Sequence, residues 1–363
     1  MDSRLERLRK KLKEKALDAI FVSTPENRRY LSGFAGSSGY LMIDQKEALL
    51  ATDFRYYEQV GRQSPNYKLV KITGPLDTWL VGSLNDLKAK RVGFESENVS
   101  VSFFNLIKAT LDKMPAESRP EFVPTSGIVE DLRIVKEPSE ALLLQRAIDI
   151  ADESFTYVAA EKLKPGITEK QVAWEIEKRM RELGAEGPSF DTIIASGPNA
   201  ALPHHHPTDK VIQKGESIVI DMGAKYEGYC SDLSRTVIIG KPDAQFRKIY
   251  DIVLGAQMTA IAAVNDTMTG GDCDQLARKV IEDAGYGPQF GHGTGHGVGL
   301  EIHENPRVSK NSKSKLEDGM FFTVEPGIYI EGWGGVRIED IVKMENGKAV
   351  DCSHAHKKDL IGV

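Results

Sequence analysis

Cysteine is scarce in this sequence, and its scarcity excludes two structural features, a disulfide framework and a thiolate zinc site. The three cysteines, Cys230, Cys273 and Cys352, are odd in number and widely spaced. They form neither a disulfide framework nor the CxxC pairs of a thiolate zinc site. We expect three free thiols, each a small buried or surface side chain, in a protein of a reducing compartment.

A surplus of basic residues is absent as well. Lysine and arginine number 47 against 53 aspartates and glutamates, which makes the formal net charge −6. Such a chain has no broad positive surface for the phosphates of nucleic acids or for anionic lipid headgroups. The charge balance predicts that neither nucleic acid nor a membrane is a partner.

The sequence also lacks long apolar runs. None is long enough to span a bilayer, and the N-terminal segment MDSRLERLRKKLKEKALDAI has no apolar core or cleavage site of a signal peptide. Leu5, Leu8, Leu12 and Leu17 recur there with a helical period, and acidic residues interrupt the basic face. We predict an amphipathic surface helix in a soluble, cytoplasmic protein.

About two domains are expected for a chain of 363 residues. The strand-like runs AIFVS, YLMI and EALLAT mix with helical signals in the first part. Prolines and charged residues then cluster in PAESRPEFVPTSGIVEDLRIVKEPSE, which is typical of a domain boundary. We predict an N-terminal domain over residues 1–126, a linker over 127–137 and a C-terminal domain over 138–363.

The C-terminal domain shows long helical patterns separated by strand-like runs. Ser139 is predicted to cap one helix, and Thr168 with Gln171 forms a capping-box pattern for a second. Two more helices are predicted in FRKIYDIVLGAQMTAIAAV and CDQLARKVIEDAG, and the strand-like runs are FDTIIAS, SIVIDMG, SRTVIIG, MFFTVEPGIYI and VRIEDIVKM. This pattern predicts helices packed on a mainly antiparallel sheet, with a helix pair followed by strands occurring twice.

Four carboxylates interrupt apolar strand-like runs of that domain, where acidic residues are depleted. They are Asp221, Asp232, Glu325 and Glu339. A single such residue usually lies on a solvated face, but four of them buried together need positive charge between them. Arg235 and Arg337 are nearby in the sequence and leave an excess of negative charge. Divalent cations that prefer oxygen ligands, such as manganese, magnesium or cobalt, neutralise such a cluster better.

Glycine and histidine are concentrated in GHGTGHGVGLEIHE, which ends at Glu304. Glycine destabilises regular structure and is tolerated where the backbone bends or approaches another group closely. Such a loop allows a histidine to come near the carboxylates. An imidazole from this segment, which contains His292, His296 and His303, would complete a metal site.

These residues and their flanking motifs resemble those of the metallopeptidases with the pita-bread fold. The ordered set is Asp221, Asp232, His296, Glu325 and Glu339, carried by VIDMGAKYEGYCSDLSRT, GHGTGHGVGLEIHE, VEPGIYI and GGVRIED, with ALPHHHPTDK before them. Within that group the chain is similar to the proline-specific branch, the Xaa-Pro dipeptidases (prolidases) and Xaa-Pro aminopeptidases. The likeness extends from Leu132 to the C-terminus, and NRRYLSGFAGSSGYLMI with TDFRYYEQV carries a weaker one over the N-terminal domain.

The resemblance implies an α+β protein, with a C-terminal pita-bread domain of the creatinase/aminopeptidase type and a smaller, creatinase-like N-terminal α/β domain. It also implies two divalent metal ions per subunit, manganese first, with cobalt or zinc compatible with the same ligands. Asp232 and Glu339 would bridge the ions, Asp221 would be a terminal ligand of one, and His296 and Glu325 of the other. A metal-bridging hydroxide would be the nucleophile, and Glu325 would also accept the proton.

Further residues match the substrate site of that family. His204 and His303 correspond to histidines that position the scissile carbonyl and handle the leaving proline, and both are assigned a catalytic role. His292 corresponds to another pocket histidine, although packing or capping would explain it equally. Arg337 either contacts substrate or forms a structural ion pair that holds Glu339. Arg307 either binds a product carboxylate or forms a salt bridge within its loop.

The activity implied is exopeptidase cleavage of Xaa-Pro bonds in short peptides with proline at the second position, carried out by a homodimer. Dipeptidase and aminopeptidase specificity both stay open. The alternatives are a methionine-aminopeptidase-like enzyme and a catalytically silent pita-bread binding protein. The N-terminal domain argues against the first alternative, and the complete set of five ligands argues against the second.

Overall fold

The computed structural model describes residues 2–357. These residues fall into two compact units that divide between Arg133 and Ile134, inside the segment 127–137. Each unit is built around buried apolar clusters of its own. The two units therefore meet the usual criterion of separate domains, which is a core for each.

The first unit is built on one six-stranded mixed sheet. Its strands are β1 (Ala19–Val22), β2 (Tyr40–Asp44), β3 (Ala48–Thr52), β4 (Lys68–Lys71), β5 (Arg91–Glu95) and β6 (Glu121–Thr125), in the spatial order β4-β3-β2-β1-β5-β6. β1, β5 and β6 run parallel, whereas β2 is antiparallel to both of its neighbours. The runs AIFVS, YLMI and EALLAT are confirmed as strands, and the unit is the expected α/β domain.

Helices complete the first unit. They are α1 (Asp2–Glu14), α2 (Pro25–Ser32), α3 (Tyr57–Gln63), α4 (Leu76–Leu87), α5 (Val101–Leu111) and α6 (Glu130–Arg133). The predicted amphipathic helix is α1, and its residues Leu5, Leu8 and Leu12 are buried. Leu17 is also buried but lies beyond the helix, because the chain leaves the helical conformation at Ala16, where φ is 51°.

The second unit combines long helices with short strands. Among its described residues the helices are α7 (Pro138–Glu161), α8 (Glu169–Glu182), α9 (Ala244–Ala263) and α10 (Gly270–Asp283). The strands are β7 (Gly187–Pro188), β8 (Ile193–Ser196), β9 (Ser217–Met222), β10 (Ala224–Tyr226), β11 (Tyr229–Cys230), β12 (Leu233–Ile238), β13 (Gly295–Gly297), β14 (Glu304–Val308), β15 (Phe321–Val324), β16 (Gly327–Ile330), β17 (Gly334–Arg337), β18 (Asp340–Glu345) and β19 (Lys348–Asp351). The strand pairs of this unit are antiparallel, as predicted. Across residues 2–357, each helix is too short or too polar to traverse a lipid bilayer.

The second unit repeats one arrangement twice. In its first half, α7 and α8 pack with the sheet β12-β9-β8 around a core that includes Phe155 and Ile220. In its second half, α9 and α10 pack with the sheet β14-β13-β15-β18-β19 around a core that includes Tyr250 and Phe322. This is the repeated helix pair with strands that the sequence predicts.

The start of α7 differs from the prediction. The N-cap is Glu137 rather than Ser139, and Pro138 occupies the first helical position. Proline suits that position because its φ is already helical and no N–H is left without an acceptor. The helix therefore begins two residues earlier than a serine cap would place it.

Two runs that were predicted as single strands are each divided. MFFTVEPGIYI forms β15 and β16, with Glu325 and Pro326 between them, and VRIEDIVKM contributes to β17 and β18, with Ile338 and Glu339 between them. Proline cannot donate to a strand ladder, so the first run must break where Pro326 occurs. Both glutamates consequently lie at strand ends instead of inside strands.

The first turn of α8 holds the segment that precedes β9. The predicted capping box is confirmed, since Thr168 Oγ1 accepts a hydrogen bond from Gln171 N and Gln171 Oε1 accepts one from Thr168 N. The next residue, Glu169, is buried, and its carboxylate makes six hydrogen bonds. The partner atoms are Ser196 N and Oγ, Asn199 Nδ2, His205 Nε2, and Thr208 N and Oγ1. Burial alone would raise the pKa of Glu169, but these partners outweigh it and lower the pKa to about 2.

Replacing Glu169 by glutamine is expected to lower the free energy of unfolding by about 2 kcal/mol at neutral pH, because an amide group then faces donors that need an acceptor. The folded-state pKa lies below the ordinary value of 4.5. This stabilisation is therefore fully present above that value and is lost as the pH falls toward 2. Urea unfolding of both proteins should show a smaller difference at acidic pH than at neutral pH.

Glu177→Gln in the same helix is the control, because Glu177 forms an ion pair with Arg181 near the surface. Such pairs contribute about 0–1 kcal/mol. Equal losses of stability in E169Q and E177Q would contradict the role of Glu169.

Candidate metal centre

One cavity of the second unit, called the site cavity here, has a volume of about 490 Å³. It brings together every residue that the sequence singled out for the site. These are His204, Asp221, Asp232, His292, His296, His303, Arg307, Glu325, Arg337 and Glu339. They come from both halves of the unit, so the fold and not the order of the chain creates the group.

Strand pairing positions the four carboxylates. In the first half, Asp221 of β9 is in register with Ser234 of β12, and Asp232 immediately precedes β12. In the second half, Glu325 follows β15, and Glu339 lies between β17 and β18. The backbone N–H of Glu339 donates to the carbonyl oxygen of Ser234 over 3.0 Å. This hydrogen bond joins the two halves beside the carboxylates.

The glycines beside His296 are required because other backbone segments come very close. A Cβ at Gly295 would lie 1.9 Å from the carbonyl oxygen of Thr323, and a Cβ at Gly297 would lie 2.1 Å from that of Asn305. Real side chains do not approach so closely, so only glycine is compatible with this packing. β13, which carries His296, can therefore lie tightly between β14 and β15.

Asp232, His296 and Glu339 form the tightest group of the site. Each offers a potential ligand atom within 4.8 Å of the other two, and all three side chains are buried. His296 Nε2 lies 3.5 Å from Asp232 Oδ2 and 3.6 Å from Glu325 Oε1. Carboxylate oxygens combined with an imidazole nitrogen at such separations are a donor set suited to a divalent cation.

Burial and mutual repulsion raise the pKa values of these carboxyl groups. For Asp232 and Glu339, burial is the larger cause, the charges of the neighbouring carboxylates add to it, and both pKa values lie well above the ordinary range. Burial also raises the pKa of Glu325 to about 7. Without a cation between them, these groups hold protons at pH values where isolated carboxyl groups are ionised.

His296 is in the state that binds metals. Burial lowers its pKa to about 4, so the imidazole is neutral at neutral pH. Its Nδ1 lies 3.1 Å from the carbonyl oxygen of Gly297 and therefore carries the proton. The lone pair of Nε2 is directed toward Asp232 and Glu325. Fixing the tautomer through Nδ1 in this way is the usual arrangement of a metal-binding histidine.

Arg337 places a guanidinium against the cluster. Its Nη2 donates to Asp221 Oδ2 over 2.5 Å, and its Nε donates to Ser234 Oγ over 2.8 Å. The hydroxyl of Ser234 in turn donates to Glu339 Oε2 over 2.8 Å. The other nearby arginine, Arg235, pairs with Asp340 instead. The ion pair of Arg337 is therefore with Asp221, whereas Glu339 is reached through the Ser234 hydroxyl. The predicted contact of Arg337 with substrate stays a prediction.

The site contains more negative charge than these basic groups neutralise. Five carboxyl groups line the cavity, those of Asp191, Asp221, Asp232, Glu325 and Glu339, against the two guanidinium groups of Arg307 and Arg337. Asp221 Oδ1 is buried and has no hydrogen-bond partner among the described residues. A buried carboxylate oxygen without a donor is costly unless a cation or a water molecule lies beside it. The residues present therefore fit divalent cations.

Two residues of the site, Ser234 and Tyr329, were not predicted. The Tyr329 hydroxyl accepts from Arg337 Nη1 over 2.9 Å and donates to His292 Nε2 over 2.9 Å. His292 Nδ1 carries the proton, because it lies 2.7 Å from the carbonyl oxygen of Gly293. Burial raises the pKa of Tyr329 to about 12 and lowers that of His292 to about 4. Both ring nitrogens of His292 are thus engaged within the protein, and its substrate contact stays a prediction.

Only one of these two residues had a usable signal in the sequence. Ser234 follows Asp232 by two positions, and this spacing puts two side chains of an extended segment on the same side. Tyr329 had none, because tyrosine is common in strands for reasons of packing alone.

His204, His303 and Arg307 are exposed at the site cavity. The ring centroid of His303 lies 4.4 Å from that of His296. Burial and, secondarily, the charge of Arg307 lower the pKa of His303. The three side chains are accessible to a ligand in the cavity, and their assigned roles stay predictions.

The two histidines that follow His204 have different surroundings. His205 is hydrogen bonded to Glu169, whereas His206 is exposed and also lines the site cavity. Sequence alone did not separate them, because the difference depends on which side chain reaches the start of α8.

Comparisons with known proteins agree with this geometry. Residues 143–346 match metallopeptidase family M24, and residues 4–135 match the creatinase/prolidase N-terminal domain. The Xaa-Pro dipeptidase of Pyrococcus furiosus is 40% identical over 352 residues, which cover 96% of this chain and 97% of that protein.

Solved structures of proline-specific peptidases are also similar to this chain, over 98% to 99% of its length. The Xaa-Pro dipeptidase from Bacillus anthracis has a TM-score of 0.94 at 40% identity, with 99% of both chains covered. The X-Pro aminopeptidase from Thermotoga maritima has a TM-score of 0.88 at 37% identity, with 98% of this chain and 99% of that chain covered. The expected pita-bread domain and smaller N-terminal domain are confirmed, and the chain belongs to metallopeptidase family M24.

Proposed function

We propose that this protein is a dinuclear, metal-dependent exopeptidase that hydrolyses the bond between an N-terminal residue and proline. The observation that carries the proposal is the buried group of Asp232, His296 and Glu339, with ligand atoms within 4.8 Å of one another. Relatives named Xaa-Pro dipeptidase and X-Pro aminopeptidase support specificity for proline. The match to the creatinase/prolidase N-terminal domain favours this branch over a methionine-aminopeptidase-like enzyme.

Five residues are proposed to hold two divalent cations. Asp232 and Glu339 would bridge them, Asp221 would complete one site, and His296 with Glu325 would complete the other. When bound, such cations polarise a carbonyl oxygen and lower the pKa of water to about 7. Manganese is the proposed metal because carboxylate oxygens dominate the donor set, and cobalt and zinc are the alternatives.

Glu325 is proposed to transfer the proton during hydrolysis. Its Oε1 lies 3.6 Å from His296 Nε2, so Glu325 stands at the proposed cation site. A carboxylate within hydrogen-bond reach of the attacking water accepts its proton and can return it to the leaving amine. The same carboxyl group would therefore serve both steps of the reaction.

His204, His303 and Arg307 are proposed to bind and orient the substrate. The nitrogen of a bond that precedes proline has no hydrogen, so recognition must use the carbonyl oxygen, the ring and the peptide ends. The two imidazoles suit the carbonyl and the leaving proline. The Arg307 guanidinium, exposed at the site cavity, suits a carboxylate.

The protein is also proposed to be a cytoplasmic homodimer, on the basis of its resemblance to this branch and its few cysteines. Static light scattering at assay concentration should give twice the subunit mass. A monomer under those conditions would contradict the proposal.

The manganese-loaded protein is expected to hydrolyse Ala-Pro, Ala-Pro-Ala or both, and the ratio of the two kcat/KM values would distinguish a dipeptidase from an aminopeptidase.

Glu325→Gln should lower kcat by about 10²- to 10⁴-fold, the range for loss of a proton-transfer group. Glu331→Gln, on the exposed turn between β16 and β17, is the matched control and should retain full activity. If the folded, manganese-loaded wild type cleaved neither peptide, the alternative hypothesis of a catalytically silent binding protein would replace the proposed peptidase function.

Metal binding is expected to tighten as the pH rises. The folded-state pKa of Glu325, about 7, lies above its ordinary value of 4.5, so the folded protein keeps this proton where the unfolded chain has released it. Stability of the metal-free protein therefore falls as the pH rises through this window. A cation that binds the ionised group meets less competition from protons at the upper end.

The measurement is the increase in Tm on adding Mn²⁺ to chelator-treated protein. The increase should be larger near pH 7.5 than near pH 5.5, and the E331Q control should behave like the wild type. A larger increase at the lower pH would show that ionisation of the buried carboxyl groups does not limit metal binding.

A further inference from the structure

A second cavity of the same unit, called the side cavity here, adjoins the site cavity. It has a volume of about 260 Å³. Its lining includes Lys170, Trp174 and Glu177 of α8, together with Asp191 and Pro207. Asp191 also lines the site cavity, so the two cavities share a wall.

The loop of residues 203–207 forms a partition between the two cavities. Its residues Pro203, His204 and His206 line the site cavity, whereas Pro207 lines the side cavity. The partition is fixed in place, because Glu169 is hydrogen bonded to His205 within the loop and to residue 208 directly after it. A ligand that occupies both cavities would therefore pass this loop beside Asp191, the residue that lines both of them.

The side cavity has the chemistry of a site for a cationic side chain. Trp174 is 62% exposed, and an indole face attracts Lys and Arg side chains. Lys170 pairs with Asp209 at 2.8 Å, and Glu177 pairs with Arg181 at 2.9 Å.

Asp191 differs from these engaged charges. It is exposed and makes no hydrogen bond or ion pair with any described residue. An exposed carboxylate beside an exposed indole offers two complementary contacts to one cation, a charge pair and a cation–π contact. The net preference of the side cavity is therefore for positive charge.

The position of such a side chain follows from the proposed reaction, on which this inference rests. An exopeptidase that removes the N-terminal residue leaves only the carboxyl-terminal side of its substrate to extend beyond the site cavity. The volume of about 260 Å³ is below the range of about 300–1,000 Å³ typical of complete ligand sites. It suits one part of a ligand whose remainder is bound next to it.

We propose that the side cavity is a subsite for the residue after proline, and that Asp191 and Trp174 make it selective for lysine or arginine at that position. The substrates of this protein then include peptides of three or more residues with a basic third residue. The selectivity is electrostatic in part, so it weakens as ionic strength increases.

The test compares kcat/KM of the manganese-loaded wild type for Ala-Pro-Lys and Ala-Pro-Glu, with Ala-Pro as the reference substrate. Ala-Pro-Lys should be preferred by about threefold to tenfold at low ionic strength, as expected for one exposed charge pair plus one cation–π contact. The ratio of the two tripeptides is the readout, because a general loss of activity in a variant cancels in it.

Three variants measure how much Asp191 and Trp174 each contribute to that ratio of kcat/KM values. Asp191→Asn should lower the ratio to the part supplied by the cation–π contact, Asp191→Lys should reverse it in favour of Ala-Pro-Glu, and Trp174→Ala should reduce it. Asp251→Asn removes an exposed carboxylate of α9 and is the matched control, with the ratio expected to stay at the wild-type value. Increasing the salt concentration should lower the ratio in the wild type but not in D191N.

The outcomes separate this inference from the proposed function. A wild-type ratio near one, or a ratio that D191N and D191K leave unchanged, would overturn the subsite while activity on Ala-Pro upholds the peptidase. Cleavage of Ala-Pro without cleavage of either tripeptide would also overturn it. If none of the three peptides were cleaved, the proposed function itself would fail.

Discussion

Repulsion among buried carboxyl groups is the constraint on which the structure of the second unit depends. Asp232 and Glu339 are buried within a few ångströms of each other, and burial with neighbouring charge raises the pKa of each. The guanidinium of Arg337 relieves part of this charge through Asp221. The rest must be neutralised by protons or by bound cations, since ionised groups cannot remain buried together without a partner. The instability of the ligand cluster by itself is thus the physical reason for the proposed metal binding.

The fold sustains this arrangement by joining two similar halves at one line of contacts. The N–H of Glu339 donates to the backbone of Ser234, and Thr236 Oγ1 donates to the carbonyl oxygen of Arg337 over 2.9 Å. Beneath this line, the buried guanidinium of Arg235 donates to the carbonyl oxygen of Glu339 over 2.5 Å. Each half supplies ligands that its own sheet positions. These hydrogen bonds between the halves let repelling side chains stay close without separating the strands.

Buried charged groups also hold the histidine-bearing segments from behind. Glu169 fixes the loop that carries His204. In the second half, the buried Arg278 donates to the carbonyl oxygen of His292 over 2.7 Å, and its ion-pair partner Asp274 accepts from Thr294 over 2.8 Å. The His204 ring remains accessible, because the loop that carries it is restrained and the ring is not, whereas both ring nitrogens of His292 are themselves hydrogen bonded. Rigid support behind an accessible side chain is what a site needs to bind its ligand in one geometry.

The sequence by itself determined most of the local elements and the identity of the candidate ligands, but not the start of α7 or the breaks at Glu325 and Glu339. The capping box at Thr168 and the apolar strands are short-range features, and a carboxylate that interrupts an apolar strand is visible without a structure. Only the tertiary structure decided which groups meet. Arg337 reaches Asp221 across 116 positions of the chain, and Asp191 becomes a shared wall because α8 and the loop after Pro203 converge there. No local periodicity encodes such meetings, since they depend on how strands pair and helices pack over the whole unit.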